Sequence, residues 1–322
     1  MSPKVQTDTS RTDSAVSIRG VTKTFTQWQR DNTGRGLLKN LLKPEKRVVT
    51  ALDNVSFEIK KGEFVAYAGP NGAGKSTTMK LLSGMLLPAS GGISVLGMSP
   101  HRQRRAVMQK LGVLFGNRTE LWWDHPVIQS FAWKKVVWDI PDALYRENLA
   151  MVTELLDIGG LLKTFARELS LGQRMRADLA MLLLHSPALI LLDEPTLGLD
   201  VVAKRQMIGF LKQLNERAGT TIVVTSHDMD DLEEMARRIL LVSGGKIAFD
   251  GGFAALRNEL GCTKRAAVNF HDGTHREIDY QDTRSLLREL SAMDGVADVS
   301  FTQTSLEEGL ANLFAKWKNQ RP

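Results

Sequence analysis

The nine residues "GPNGAGKST", Gly69 to Thr77, follow the apolar run "EFVAYA" and open a helix-like segment, "KSTTMKLLSGML". Gly69, Gly74, Lys75 and Ser76 stand at the spacing of a phosphate-binding loop. Across Gly69, Pro70, Asn71, Gly72, Ala73 and Gly74 the glycines let the backbone wrap an anion closely. Successive N–H groups and a helix N-terminus then face the negative charge. Lys75 has the reach for outer phosphates, and the Ser76 hydroxyl, beside Thr77, suits a divalent cation. A second pair, Asp193 and Glu194, ends the apolar run "ALILLD", 118 residues after Lys75. Two acids leaving a buried strand are costly unless a cation or a water network receives them. Asp193 suits Mg²⁺, and Glu194 suits an attacking water, as general base or positioning group. Each feature alone has a structural alternative: a chance glycine-rich turn, or acids that cap a helix or sit solvated at a strand end.

These groups need elements to hold them. "EFVAYA" and "ALILLD" are short apolar runs and "TIVVTS" is rich in β-branched residues, the pattern of buried strands in a largely parallel sheet. In "ALDNVSFEIKKGE" Val55, Phe57 and Ile59 alternate with Ser56, Glu58 and Lys60, which predicts a half-exposed strand. "KSTTMKLLSGML" and "AKRQMIGFLKQLNERAG" read as helices between strands, so the fold class is α/β. From about 118 to 187 the chain reads as helical without strands, a subdomain inserted into the sheet. Beyond Gly261 a small separate α+β domain, 263–322, is expected. Its parts are a hairpin around Asp272-Gly273, a helix in "TRSLLRELSAMDG", a strand in "VADVSF" and a capping box of Ser305 with Glu308. Residues 1–14 are polar and read as disordered.

Composition bounds the rest. The 322 residues are 43% hydrophobic and 24% charged, ordinary for a globular chain of one large or two modest domains. A net charge of +6 favours an anionic partner: nucleotide, nucleic acid or lipid surface. Cys262 is the only cysteine, so no internal disulfide forms and a reducing compartment is expected. The start of the chain has no apolar core of the signal-peptide kind, and no apolar run reaches the roughly 18–20 residues that span a bilayer.

Two further motifs make the reading specific. "ELSLGQRMRADLA" lies between the loop and the acids, and "TIVVTSHDMDD" follows them, carrying His227. Gly69–Thr77, Leu169–Gln173, Ile190–Glu194, "GLD" at 198–200 and His227 occur in an order and spacing that resembles the ABC-type ATPases, over about 15–262. Leu171 replaces the more usual first glycine of that family's signature. The resemblance implies a P-loop cassette: a mostly parallel core sheet, an antiparallel β subdomain and an inserted helical subdomain. It implies that Lys75 and Ser76 hold ATP and Mg²⁺ with Asp193. Ser170, Gly172 and Gln173 would close on the γ-phosphate held by a second copy of the chain, in a head-to-tail pair around two ATPs. His227 would contact the γ-phosphate, Asp200 would link the two sites, and Phe25 would stack on adenine. The structural alternatives are a helix-capping histidine and a core phenylalanine.

In "LGVLFGNRTELWWDHP" the resemblance places Asn117 where the family usually carries a glutamine that reaches Mg²⁺ and the attacking water. Asparagine keeps the amide and shortens its reach by one methylene; a closer loop or a bridging water would compensate. Trp122 and Trp123 follow. Neighbours in sequence cannot both face one interior, so core packing competes with a cleft for a short helix of a membrane partner. Between Phe25 and "ALDNVSFEI" lies a long basic connection containing the amphipathic piece "GLLKNLLK". These features together resemble exporter ATPases whose permeases are separate polypeptides.

The expectation is therefore an ATP-hydrolysing subunit, cytoplasmic and peripheral on the membrane's inner face, that drives a separate transmembrane permease, with export as the direction and no nucleic acid as partner. The alternative is an ABC ATPase acting on a non-membrane partner. DNA-repair members of the family insert long coiled coils between loop and signature, and the 95 residues here leave no room for them. Translation-associated members carry two cassettes, and P-loop kinases and GTPases lack the signature.

Overall fold

The computed structural model describes residues 13–29, 45–116, 118–260, 264–280, 282–303, 305–310 and 313. The chain forms two compact units, one of Met1–His227 and Asp231–Asp250, the other of Asp228–Asp230 and Gly251–Pro322.

The larger unit starts with an antiparallel ribbon of β1 (Ser14–Gln29) and β2 (Glu45–Lys60), with β4 (Ser90–Val95) on the other side of β1. Val55, Phe57 and Ile59 are buried, and Ser56, Glu58 and Lys60 are exposed, as period-two alternation requires. The strands run further into the connection than their apolar core predicts, with Phe25 opposite Val49 and Gln29 opposite Glu45. β-branched Thr24, Thr26, Val48, Val49 and Thr50 favour that extension. The amphipathic piece at 36–43 lies outside the described residues.

The second sheet has six strands in the order β5, β6, β7, β3, β8, β9. They are β3 (Phe64–Ala68), β5 (Leu111–Phe115), β6 (Leu189–Asp193), β7 (Thr221–Thr225), β8 (Arg238–Ser243) and β9 (Lys246–Gly252). The pairs from β5 to β8 are parallel. Every residue of β3, β6 and β7 is buried, which explains their unbroken apolar runs. Helix α1 (Lys75–Leu82) lies within the core, where Met79, Leu81 and Leu82 join Val65 and Tyr67 of β3 and Leu52 of β2. Phe57 and Tyr67 bridge the two sheets with ring centroids 5.8 Å apart.

Short α2 (Arg104–Met108) precedes β5. Between β5 and β6 the described chain is helical: α3 (Val127–Val137), α4 (Asp142–Leu155) and α5 (Leu171–Leu183). Helices α6 (Val201–Ala218) and α7 (Met229–Met235) follow β6 and β7. Among the described residues no helix is long and apolar enough to cross a membrane.

The smaller unit contains α8 (Phe253–Glu259) and a sheet ordered β11, β10, β12, from β10 (Lys264–Phe270), β11 (His275–Tyr280) and β12 (Val296–Gln303). Helix α9 (Thr283–Ser291) contributes Leu286 to a core with Ala266, Val268 and Ile278. At the β10–β11 corner Gly273 donates its N–H to the Phe270 carbonyl and has φ 83°, the left-handed position that closes a three-residue hairpin loop. The Glu308 N–H donates to Ser305 Oγ at 3.1 Å, capping the helical turn that follows. Compactness places the start of this unit at Gly251, upstream of Cys262, which lies outside the described residues.

Candidate functional site

The loop Gly69–Gly74 connects the end of β3 to α1. Gly69 has φ 154°, and a Cβ there would sit 2.1 Å from the Val242 carbonyl oxygen of β8. Gly74, at φ 108°, would place a Cβ 2.6 Å from the Ala51 carbonyl oxygen of β2. Only glycine fits either place. Ala73 N–H bonds the Pro70 carbonyl at 3.1 Å, tightening the turn, while Asn71 and Gly72 stay exposed. Helix α1 has no side-chain cap, so its first-turn N–H groups remain available to an anion. By contrast α5, α6 and α9 are each capped by their own Ser170, Asp200 and Asp282. Lys75 is buried and donates from Nζ to the Gly69 carbonyl at 2.6 Å. Burial pushes its ammonium below the usual lysine range, and the nearby charges of Glu194 and Asp193 oppose that shift. Ser76 is exposed and Thr77 half-buried on the same turn.

The two acids end β6, two strands from β3 with β7 between them. Buried Asp193 would carry a large desolvation cost without a partner. Thr225, its register neighbour on β7, supplies one: Oγ1 donates to Asp193 Oδ1 at 2.7 Å. Glu194 has φ 56°, and its N–H reaches both Thr225 Oγ1 at 3.0 Å and the Thr225 carbonyl at 3.1 Å. The exposed His227, two residues beyond Thr225, sets Nδ1 2.8 Å from Glu194 Oε2. An ionised carboxylate only accepts, so Nδ1 carries the proton and Nε2 is left for another partner.

Ser170 and Gln173 form a complete capping box on α5: Ser170 Oγ accepts the Gln173 N–H, and Gln173 Oε1 accepts the Ser170 N–H at 2.9 Å. Gly172 lies close to Ala203 of α6, where a Cβ would meet its methyl at 3.3 Å. Asp200 accepts the Ala203 N–H at 2.8 Å. Among the described residues no hydrogen bond or ion pair links Ser170, Gly172 or Gln173 to the phosphate loop of the same chain. Phe25 is half-buried on β1 opposite Val49, two residues before Ala51, with Lys23 Nζ 5.1 Å from its ring centre. Asn117 lies outside the described residues.

Sequence reasoning missed Thr225, treated only as strand; its period-two spacing from His227 was the available signal. It also missed Asp178 on α5, whose Oδ1 accepts Thr119 Oγ1 at 2.9 Å and the Glu120 N–H at 3.1 Å, anchoring the segment after Asn117. Trp122 and Trp123 precede α3, both partly exposed; Trp122 packs on Trp133 at 5.6 Å, and Trp123 lies under the Arg174 guanidinium at 4.5 Å.

Glycine loop, strand-end acids and histidine converge at the carboxyl ends of three adjacent parallel strands, the arrangement of a P-loop ATPase with an ABC-type cassette fold. A family model described as "ABC transporter" matches residues 52–197. An ABC transporter ATP-binding protein of Clostridium acetobutylicum is 31% identical over 210 residues, 65% of this chain and 75% of that protein. The methionine import ATP-binding protein MetN of Carboxydothermus hydrogenoformans is 32% identical over 221 residues, 67% of this chain and 65% of its own length. Against an ABC transporter ATP-binding protein of Bacillus cereus the chain spans 37% of the relative's length. Among solved structures, the dimeric ATP-binding cassette MJ0796 bound to ADP and Pi aligns with TM-score 0.62 and 24% identity, over 74% of this chain and 98% of that one. The subunit cbiO1 of Clostridium perfringens aligns with TM-score 0.61 and 24% identity, over 76% of this chain and 94% of that one. The chain belongs to the ATP-binding subunits of ABC transporters, which are ATPases.

Proposed function

We propose that this chain hydrolyses MgATP as a head-to-tail pair of copies and thereby drives a separate transmembrane permease. The observation that carries the reading is the convergence at β6, β7 and β3 of an uncapped helix N-terminus, a buried lysine and a Glu194–His227 pair. The 74–77 amides and Lys75 hold the β- and γ-phosphate oxygens. Glu194 orients the attacking water and accepts its proton as the water oxygen bonds the γ-phosphorus and the bond to the β,γ-bridging oxygen breaks. His227 holds the Glu194 carboxylate through Nδ1 and turns Nε2 to the γ-phosphate. The donor set, a buried carboxylate and an exposed hydroxyl on the first turn of α1, fits Mg²⁺: Asp193 and Ser76 would hold it, with Asn117 as a further proposed contact to the same ion. When bound, the ion would supply positive charge to offset that of the triphosphate. Phe25 stacks on adenine.

Ser170, Gly172 and Gln173 meet the γ-phosphate of the opposite copy, and Asp200 links the two sites. That among the described residues none of the three bonds the chain's own loop supports that assignment. Trp122 and Trp123 receive a short cytoplasmic helix of the permease, with the chain on the inner face of a membrane. Cassette residues fall within 15–262, with a helical subdomain at 118–187, and the 263–322 domain serves pairing or regulation. The direction we infer is export, on the resemblance of the 28–49 connection, "FGNRTELWWD" and "LSLGQRMRADLA"; the likeness to methionine importers favours import, and transport assays in inverted vesicles separate the two.

Glu194→Gln is expected to keep nucleotide binding, lower turnover by roughly 10²- to 10⁴-fold and accumulate the closed pair. Scattering and hydrolysis measured on that variant test this reading. A variant that stays single when saturated with ATP, or that hydrolyses briskly, overturns it.

A further inference from the structure

We propose that Thr225 is a positioning residue for hydrolysis, its one hydroxyl setting the orientation of both acids at once; this rests on the reading that Asp193 and Glu194 act on MgATP. Thr225 is completely buried at the end of β7. A hydroxyl has one proton to give and lone pairs to receive. The Glu194 N–H donates into Thr225 Oγ1 at 3.0 Å, which leaves the hydroxyl proton for Asp193 Oδ1 at 2.7 Å. The bond order is therefore directional, from the Glu194 amide through the threonine to the Asp193 carboxylate. Among the described residues the hydrogen bond to Asp193 falls on Oδ1, which leaves Oδ2 for other work.

The same contact explains the backbone at Glu194. In a continuing strand, successive side chains point to opposite faces. Glu194 instead adopts φ 56°, a left-handed conformation that a residue with a side chain occupies only when its surroundings insist. Two bonds from Thr225 to one amide, through Oγ1 and through its carbonyl at 3.1 Å, supply that insistence. With the alternation broken, consecutive acids meet partners two residues apart in sequence, one at the end of β7 and one in the segment just after it: Asp193 meets Thr225 and Glu194 meets His227. Thr225 thus acts through the acids and touches no phosphate itself.

The test compares Thr225→Val, which keeps the shape and removes the hydroxyl, with Thr225→Ser, which keeps the hydroxyl and removes the methyl. ATP hydrolysis is measured over a range of ATP concentrations beside thermal melts, with Glu194→Gln as reference. T225V is expected to lower kcat by roughly ten- to a hundredfold with KM for ATP little changed, and to melt a few degrees lower because the buried Asp193 carboxylate loses its donor; T225S is expected to restore kcat. The proposal is overturned if T225V keeps wild-type kcat, if its loss falls in KM alone, or if T225S loses as much as T225V. Should T225V fail to fold, Thr225→Ala against T225S makes the same comparison. Retained hydrolysis in E194Q would instead sink the underlying reading.

Discussion

At the residue scale the site depends on positions where no other side chain fits. Gly74 must adopt φ 108°, and a Cβ there would sit 2.6 Å from the Ala51 carbonyl oxygen, a backbone atom that cannot swing aside, and 2.7 Å from Cδ2 of the Leu52 side chain. Gly74→Ala is therefore expected to displace β2 or the loop, costing about 1–3 kcal/mol of stability and more than tenfold in ATP affinity. Nucleotide titration beside denaturant unfolding checks both. His227 is the opposite case: it is exposed, and its one observed anchor is the Glu194 carboxylate. Its value lies in holding an acid in place, so it contributes little to folding.

At the element scale, α1 and α5 have opposite helix starts. α1 leaves its first turn open, whereas α5 satisfies its own with Ser170 and Gln173. The α5 start is thus pre-formed, and a Ser170 hydroxyl engaged with the Gln173 N–H still has a proton to give. Ser170→Asp separates capping from phosphate contact, because aspartate caps as well as serine but repels a triphosphate. The expected outcome is a melting temperature near wild type with pairing and hydrolysis largely lost. Ser170→Ala would instead cost roughly 1 kcal/mol of stability. If the aspartate variant hydrolyses ATP normally, the tip of α5 does not meet a phosphate. Asp178 on the same helix ties α5 to the segment that follows Asn117, so those two elements are joined within one copy.

At the scale of the whole molecule, stability against pH reflects two buried groups that work against each other. Burial pushes Asp178 up to about 6, and burial with the charge of Lys134 pushes His185 down to about 4. As pH falls from about 6 toward 4, the folded state binds a proton at Asp178 more readily than the unfolded chain does, so that group adds stability. Over nearly the same window the unfolded chain protonates His185 first, so that group removes stability. The two trends largely cancel in the wild type. Asp178→Asn keeps an oxygen for Thr119 and Glu120 while removing the buried charge. It is expected to melt on the order of 5 °C above wild type at pH 7.5 and to lose that advantage by pH 4.5. Thermal melts of both proteins across this range decide it; parallel curves would show that Asp178 carries no such penalty.

Local rules made much of this protein legible in its sequence. Short apolar runs without alternation fit buried strands, strict alternation at 55–60 fits a half-buried one, and a glycine-rich turn between strand and helix suits amides open to an anion. The smaller unit's hairpin and its Ser305 cap were readable for the same reason, because each is decided within a few residues. What the sequence could not supply is which distant residues meet. The β6–β7 register that sets Asp193 beside Thr225, the left-handed turn at Glu194, and the burial that shifts Asp178 and His185 are properties of neighbours 31 to 74 positions away. Propensity acts along the chain, whereas desolvation and register act through space, and only the packed structure sets those.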